Sequence, residues 1–236
     1  MITKQQIDIA NSDFEAGEVL LIDKKFGLTS FSAIYKVKKI LNIRKAGHAG
    51  TLDPYATGLL IICTGKKTKD IYKYQDLEKT YSGNICLGKI TPSMDAETEV
   101  IEEHSIDHIT EDDILKVRDS FLGTISQMPP MYSAIKFKGK ALYKYARKGV
   151  EIEREPRQVE ISRFEITGID LPDIHFEIKC SKGTYVRVIA GDFGDKLGCG
   201  AYLKSLRRSG IGEYSVNDAF TIDELKSLVN NKTMLQ

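Results

Sequence analysis

Residues 47–58 form the part of the sequence best suited to chemistry. They contain Asp53 followed by Pro54, together with His48 and three glycines. A glycine-rich loop can bring a carboxylate to the rim of a sheet and close to a ligand, and the proline stiffens that presentation. The alternative is a structural turn in which Asp53 caps its neighbours, because Asp-Pro sequences often begin turns. The residue types alone leave both possibilities open.

Charge is unevenly distributed along the chain, although its sum is close to zero. The 34 lysines and arginines nearly balance the 33 aspartates and glutamates, for a net charge of +1. Basic residues cluster at 36–45, 66–73, 136–148 and 204–208, whereas residues 95–113 contain no lysine or arginine. Such basic stretches can bind RNA phosphates, or they can be solvated helix faces.

The composition argues against several classes of protein. No apolar run approaches the roughly 20 residues needed to cross a bilayer, and the polar residues 1–12 do not resemble a secretory signal. The four cysteines form no CxxC pair, and with only four histidines no metal-ligand spacing is visible. We therefore expect a cytoplasmic protein with reduced, buried cysteines and no bound metal.

The first third of the sequence predicts regular elements on both sides of the Asp53 loop. An apolar run at 19–22 predicts a strand, and Thr29 or Ser30 is suited to cap the following helix. Residues 43–58 predict a loop that is long for a compact domain. The other elements predicted here are a buried strand at 59–63, a short helix at 68–74 and a strand at 81–87.

The remainder predicts a mixture of strands and helices. Thr110 with Asp113, and Thr221 with Glu224, have the spacing of helix capping boxes. Further predictions are a strand at 132–137 and a basic helix at 141–148.

Residues 175–180 alternate polar and apolar side chains, which predicts a half-buried strand. The same period, continued past the turn at 181–183, places Tyr185 and Arg187 on one face of a strand. These elements together predict one α+β domain over residues 1–236, with a centre rich in strands.

The sequence resembles the TruB group of pseudouridine synthases. Residues 47–59 match its GHxGTLDPxATGxL signature without a gap. Further matches occur in the family's order at Lys24, at GLTS (27–30), at Tyr81, at QMPPMYSAIK (127–136) and at KGTYVR (182–187). Because these motifs extend over most of the chain, a chance match is improbable.

The resemblance implies a pseudouridine-synthase-like catalytic domain with a mixed, mostly antiparallel central sheet flanked by helices. It implies isomerisation of uridine-55 in the T-loop of transfer RNA, in which the uridine is flipped out and its base is detached, rotated and rejoined through carbon. Asp53 matches the nucleophile, and Arg187 matches the arginine that pairs with it. Tyr81 matches the tyrosine that stacks on the flipped base and takes the C5 proton. Their structural alternatives are a surface ion pair for Arg187 and core packing for Tyr81.

The resemblance also implies residues that bind the RNA. His48 would brace the opened T-loop, although a capped turn histidine is the alternative, and Tyr185 would line the uracil pocket. Phosphate contacts are expected from four basic residues, Lys24, Lys69, Lys144 and Arg147. The implied reaction requires no metal and no organic cofactor. The expected partner is the T-stem-loop of tRNA, bound by a monomer without guide RNA.

The sequence departs from the family pattern at three places. Lys25 stands where a proline often follows Lys24. In the family, the run at positions 91–95 usually has an extra aspartate between two threonines, and this sequence has TPSMD there instead. Because of this difference, the resemblance does not support a role for Asp95 in closing around RNA. Bacterial relatives usually continue into a small PUA domain, and we expect this chain to lack it.

Two other functions could use the same residues. A guide-RNA-dependent synthase such as dyskerin shares the catalytic loop, but those relatives use a PUA domain and extra terminal segments. A non-catalytic RNA chaperone could use the same groove without turnover. The presence of Asp53, Tyr81 and Arg187 together disfavours pure binding.

Overall fold

A computed structural model describes residues 1–5 and 12–233, and the chain divides into two compact units. Unit 1 comprises Met1–Tyr81 and Leu206–Gln236, and unit 2 comprises Ser82–Ser205. In the described part of the chain, no helix combines the length and the apolar character that a membrane span requires.

The first segment of unit 1 consists of strands and helices around the Asp53 loop. Its elements are β1 (Val19–Lys24), α1 (Ser30–Leu41), β2 (Ala46–His48), β3 (Ala56–Thr64), a 3₁₀ helix (Gly65–Asp70), α2 (Ile71–Gln75) and the start of β4 (Lys79–Leu87).

Unit 2 contains the rest of β4 and most of the remaining strands. The elements that follow are β5 (Lys89–Ile90), β6 (Glu102–Glu103), α3 (Glu111–Asp119), β7 (Gly123–Gln127), β8 (Lys136–Phe137), β9 (Lys140–Ala141), α4 (Tyr143–Ala146), β10 (Arg157–Asp170), β11 (Asp173–Cys180), α5 (Val186–Leu197) and the start of β12 (Ala201–Ile211). The chain then returns to unit 1 with β13 (Tyr214–Ser215), a 3₁₀ helix (Val216–Asp218) and α6 (Ile222–Thr233).

Strand β3 is the centre of unit 1. It pairs antiparallel with β1 and β2, and its first residues pair parallel with Leu206–Arg208 of β12. Leu60 and Ile62 pack with α1 and α6 on one face, whereas Leu59 and Ile61 belong to a second buried cluster on the other. Burial on both faces explains why this strand is a continuous apolar run, and it gives the preceding loop a rigid support.

The sheet strands of unit 2 follow the order β12-β4-β11-β10-β7. The pairs β10–β11 and β10–β7 are antiparallel. Phe176, Ile178 and Cys180 are buried along β11, as the alternating pattern predicts. Parallel and antiparallel pairs flanked by helices confirm the predicted α+β class and the mixed, mostly antiparallel sheet.

Helix α5 corrects the prediction for Tyr185 and Arg187. The strand period does not continue past the turn, because Gly183 adopts a φ of +80° and a helix begins at Val186. The buried Val186, Ile189, Phe193 and Leu197 follow the helical spacing of three to four residues. Tyr185 is therefore the N-cap residue of α5, and Arg187 lies in its first turn.

Other element predictions were partly right. The structure confirms Thr29 as the cap of α1, the Thr110–Asp113 capping box and the contacts between Thr221 and Glu224. The predicted long loop at 43–58 contains β2, and β3 begins inside it at Ala56. The predicted strand at 132–137 is regular only over β8, and the basic helix at 141–148 only over α4. The helix predicted at 68–74 is a 3₁₀ turn followed by α2.

Candidate active site

The Asp53 loop is fixed through its backbone. Asp53 lies half-buried between β2 and β3, and its carbonyl accepts a hydrogen bond of 3.1 Å from the Ala56 amide. The buried Ser30 hydroxyl donates to the Leu52 carbonyl at 3.0 Å and accepts from the Leu52 amide at 2.9 Å. The residue next to Asp53 is thus held by a side chain at the start of α1.

Arg208 fixes the other side of this loop. Its guanidinium donates to the carbonyls of Gly50 at 3.1 Å, Thr51 at 3.5 Å and Leu59 at 2.8 Å. Only 1% of Arg208 is exposed. The sequence places Arg208 only in a basic cluster, because no local pattern indicates that an arginine on β12 turns inward.

Lys24 is completely buried beneath the same loop. Its ammonium donates to the carbonyls of Leu28 at 2.8 Å and Pro54 at 3.5 Å. Burial lowers the pKa of Lys24 to about 8; the negative charge of Asp53 opposes this shift, and the positive charge of Arg208 adds to it. A side chain without exposed surface does not reach a phosphate, and the Lys24 ammonium contacts backbone carbonyls instead.

His48 and Tyr81 are placed by strands of unit 1. His48 ends β2, and its Nδ1 atom is buried without a hydrogen-bond partner among the described residues. Burial, and then the positive charge of Arg208, lower the pKa of His48, so its imidazole is neutral near pH 7. Tyr81 lies on β4 and is 8% exposed.

In unit 2, Arg187 forms a buried ion pair with Asp95. The Arg187 Nη1 and Asp95 Oδ2 atoms are 3.0 Å apart, and both side chains are less than a tenth exposed. Arg187 also donates to the Tyr132 carbonyl at 2.6 Å. The Thr91 and Ser93 hydroxyls donate to the Asp95 carbonyl. The sequence does not indicate this pairing of Asp95, because its partner lies 92 residues away.

Tyr185 is held by its backbone while its ring stays half-exposed. The buried Gln127 amide accepts from the Tyr185 amide at 2.8 Å and donates to its carbonyl at 3.1 Å. The guanidinium of Arg157 lies 4.7 Å from the ring centroid, and that of Arg187 lies 5.7 Å away. These contacts hold an aromatic ring that is half-exposed, and such a ring can stack on a base.

The three remaining predicted phosphate contacts are exposed. Lys69 lies in the 3₁₀ helix of unit 1, and Lys144 lies in α4 of unit 2. Arg147 follows α4 and pairs with Glu97 at 3.0 Å. The positions of Lys69, Lys144 and Arg147 are compatible with phosphate binding but do not define a phosphate site.

Two family models match this chain. A family model described as "TruB family pseudouridylate synthase (N terminal domain)" matches residues 38–186, which is more than half of the chain. The chain belongs to the TruB family. A model of the tRNA pseudouridylate synthase B C-terminal domain matches residues 187–236.

Individual TruB-family proteins align with most of this chain. A protein of Chloroherpeton thalassium named tRNA pseudouridine synthase B is 49% identical over 89% of this chain and 89% of its own length. A protein of the same name from Chlorobaculum tepidum is 46% identical over 94% of both chains.

Solved structures support the fold. A chain in a Cbf5-Nop10-Gar1 complex has a TM-score of 0.72 and 28% identity to this chain. The similarity covers 96% of this chain but only 58% of that one. A chain in an H/ACA RNP bound to a substrate RNA containing 2'-deoxyuridine has a TM-score of 0.69 and 25% identity, over 95% of this chain and 56% of its own.

The buried position of Lys24 predicts a stability that rises with pH. Its pKa is about 8 in the folded protein and about 10.5 when unfolded, so between these values the unfolded chain binds more protons. The wild-type free energy of unfolding, relative to that of Lys24→Met, should rise by about 2–3 kcal/mol from pH 7 to pH 10. Urea titrations at several pH values measure this difference.

Lys25→Met is the matched control for this experiment. Lys25 is exposed and pairs with Asp223, which raises the pKa of Lys25. The wild-type free energy of unfolding, relative to that of Lys25→Met, should show no comparable rise from pH 7 to pH 10. Equal pH dependence in wild type and Lys24→Met would contradict the assignment of Lys24.

The Asp95–Arg187 pair predicts a large cost for losing one partner. Asp95→Ala should lower the free energy of unfolding by about 3 kcal/mol, because it removes a buried charge partner. Glu97→Ala, which breaks the exposed pair with Arg147 in the same segment, should cost less than about 1 kcal/mol. Denaturant titration compares the two variants, and similar costs would show that burial of the Asp95 pair has no special weight.

Proposed function

We propose that this TruB-family enzyme isomerises uridine-55 in the T-loop of tRNA to pseudouridine, without guide RNA. The immobilised Asp53 loop carries the proposal, because it is the segment that matches the family signature and its backbone is held on both sides. Relatives named tRNA pseudouridine synthase B that align over most of both chains support tRNA as the substrate.

In the proposed reaction, Asp53 acts at the sugar of the flipped uridine. Its carboxylate either attacks the sugar or stabilises positive charge there while the bond from ribose to N1 of uracil breaks. The base then rotates, and a bond forms from ribose to C5. Tyr81 takes the C5 proton, and N1 gains a proton. The positive charge of Lys24 near Asp53 favours the ionised carboxylate that this step needs.

Arg187 and Tyr185 complete the proposed set of residues. By its match to the family motif, Arg187 pairs with the nucleophile, and the Asp95 contact fixes the direction of its guanidinium. The half-exposed ring of Tyr185 lines the uracil pocket. His48, as a neutral imidazole, braces the T-loop after the base has flipped.

The remaining parts of the proposal concern how the RNA is held. Lys69, Lys144 and Arg147 contact phosphates of the T-stem-loop, and their exposure supports this role. The enzyme acts as a monomer in the cytoplasm.

Mapping pseudouridine in tRNA tests this function. Purified protein incubated with unmodified tRNA should convert uridine-55 and leave other uridines unchanged, with no added RNA. Dependence on an added guide RNA would instead support a function like that of the H/ACA complexes. Tight tRNA binding without any pseudouridine would support a chaperone.

A further inference from the structure

Arg208 is a buried cation whose bonds lie on both sides of Asp53. Gly50 and Thr51 precede the aspartate, Leu59 follows it, and all three carbonyls accept hydrogen bonds from one guanidinium. A planar group with five donors in a fixed arrangement can hold such divergent acceptors together. The ammonium group of a lysine is a flexible point charge and does not provide this fixed arrangement of donors.

The backbone of Arg208 is also held in place. Arg208 pairs with Gly58 in the parallel ladder between β12 and β3. Gly58 adopts a φ of +106°, and a Cβ atom there would lie 2.3 Å from the Arg208 carbonyl oxygen. The close approach of these two strands places the guanidinium under the loop.

We propose that Arg208 is a positioning residue for the chemical step, holding the Asp53 carboxylate in its reactive place. The inference rests on the proposed function and adds a residue to it. Arg208 contacts carbonyls and lies in the core, so it acts through the loop and not on the RNA.

Arg207 provides a matched control on the same strand. Its guanidinium forms two hydrogen bonds with Asp23, at 3.1 Å and 2.7 Å, and its side chain is 42% exposed. The change Arg207→Lys keeps the charge and can keep this ion pair. Arg207 also donates to the Thr57 hydroxyl at 3.4 Å. Arg207→Lys is thus the same chemical change as Arg208→Lys, but it leaves the bonds to the Gly50, Thr51 and Leu59 carbonyls in place.

The test separates the chemical step from RNA binding. Single-turnover rates at saturating enzyme, and RNA dissociation constants, are measured for wild type, Arg208→Lys and Arg207→Lys well below their melting temperatures. We expect Arg208→Lys to lose about 100-fold in rate, since small misplacements of a reactive group have effects of this size. Its RNA affinity should stay within about threefold of wild type, and Arg207→Lys should stay within about threefold in both.

Each other outcome overturns the inference. A folded Arg208→Lys with a near-normal rate would show that the loop does not need the guanidinium. A loss confined to RNA affinity would show that Arg208 acts on the substrate. If neither Arg208→Lys nor Arg208→Gln folds, the residue serves the fold itself. If wild type itself fails to modify tRNA, the proposed function has failed, and the role of Arg208 in its chemical step fails with it.

Discussion

The candidate active site depends on one constraint, which is that the backbone carbonyls of residues 50–54 all accept hydrogen bonds. Arg208, Ser30 and Lys24 supply side-chain donors, and the Ala56 amide supplies a backbone donor. A loop fixed at five successive residues cannot rotate to move the Asp53 side chain without breaking several bonds. Catalytic geometry of this kind depends on support from surrounding residues.

That support requires two positive charges inside unit 1. Burying Lys24 and Arg208 is unfavourable unless hydrogen bonds and opposite charges compensate. The loop carbonyls satisfy the donors, and the charges of Asp53 and Asp23 offset the electrostatic cost at Lys24. The lowered pKa of Lys24 shows that the compensation is incomplete. Near pH 7, protonated Lys24 is therefore less favourable in the folded protein than in the unfolded chain.

Sequence patterns predicted the elements that are specified by residues close together in the chain. The apolar run of β3, the alternation of β11 and the capping pairs of α1 and α3 are local, so neighbouring residues specify them. The sequence does not predict the start of α5, because the strand period at 175–180 can be continued past the short turn at 181–183. Local patterns do not show where one period gives way to the next.

The site residues that lie in a sequence motif could be predicted. Those that are placed by contacts between distant parts of the chain could not. Asp53 and its loop stand out by composition. The bonds from Arg208 join residues 149 to 158 positions apart, and Asp95 pairs with a residue 92 positions away. The burial of Lys24 could not be predicted from the sequence either, because lysine side chains are almost always exposed.

The most direct test of the central claim is the single-turnover rate of Asp53→Asn, measured beside RNA binding. The change keeps the shape of the side chain and removes its negative charge. The rate should fall to background while affinity remains, and Asp223→Asn, which alters an exposed carboxylate paired with Lys25, should behave like wild type. An Asp53→Asn variant that kept a tenth of the wild-type rate would contradict the account, because the nucleophile would then lie elsewhere.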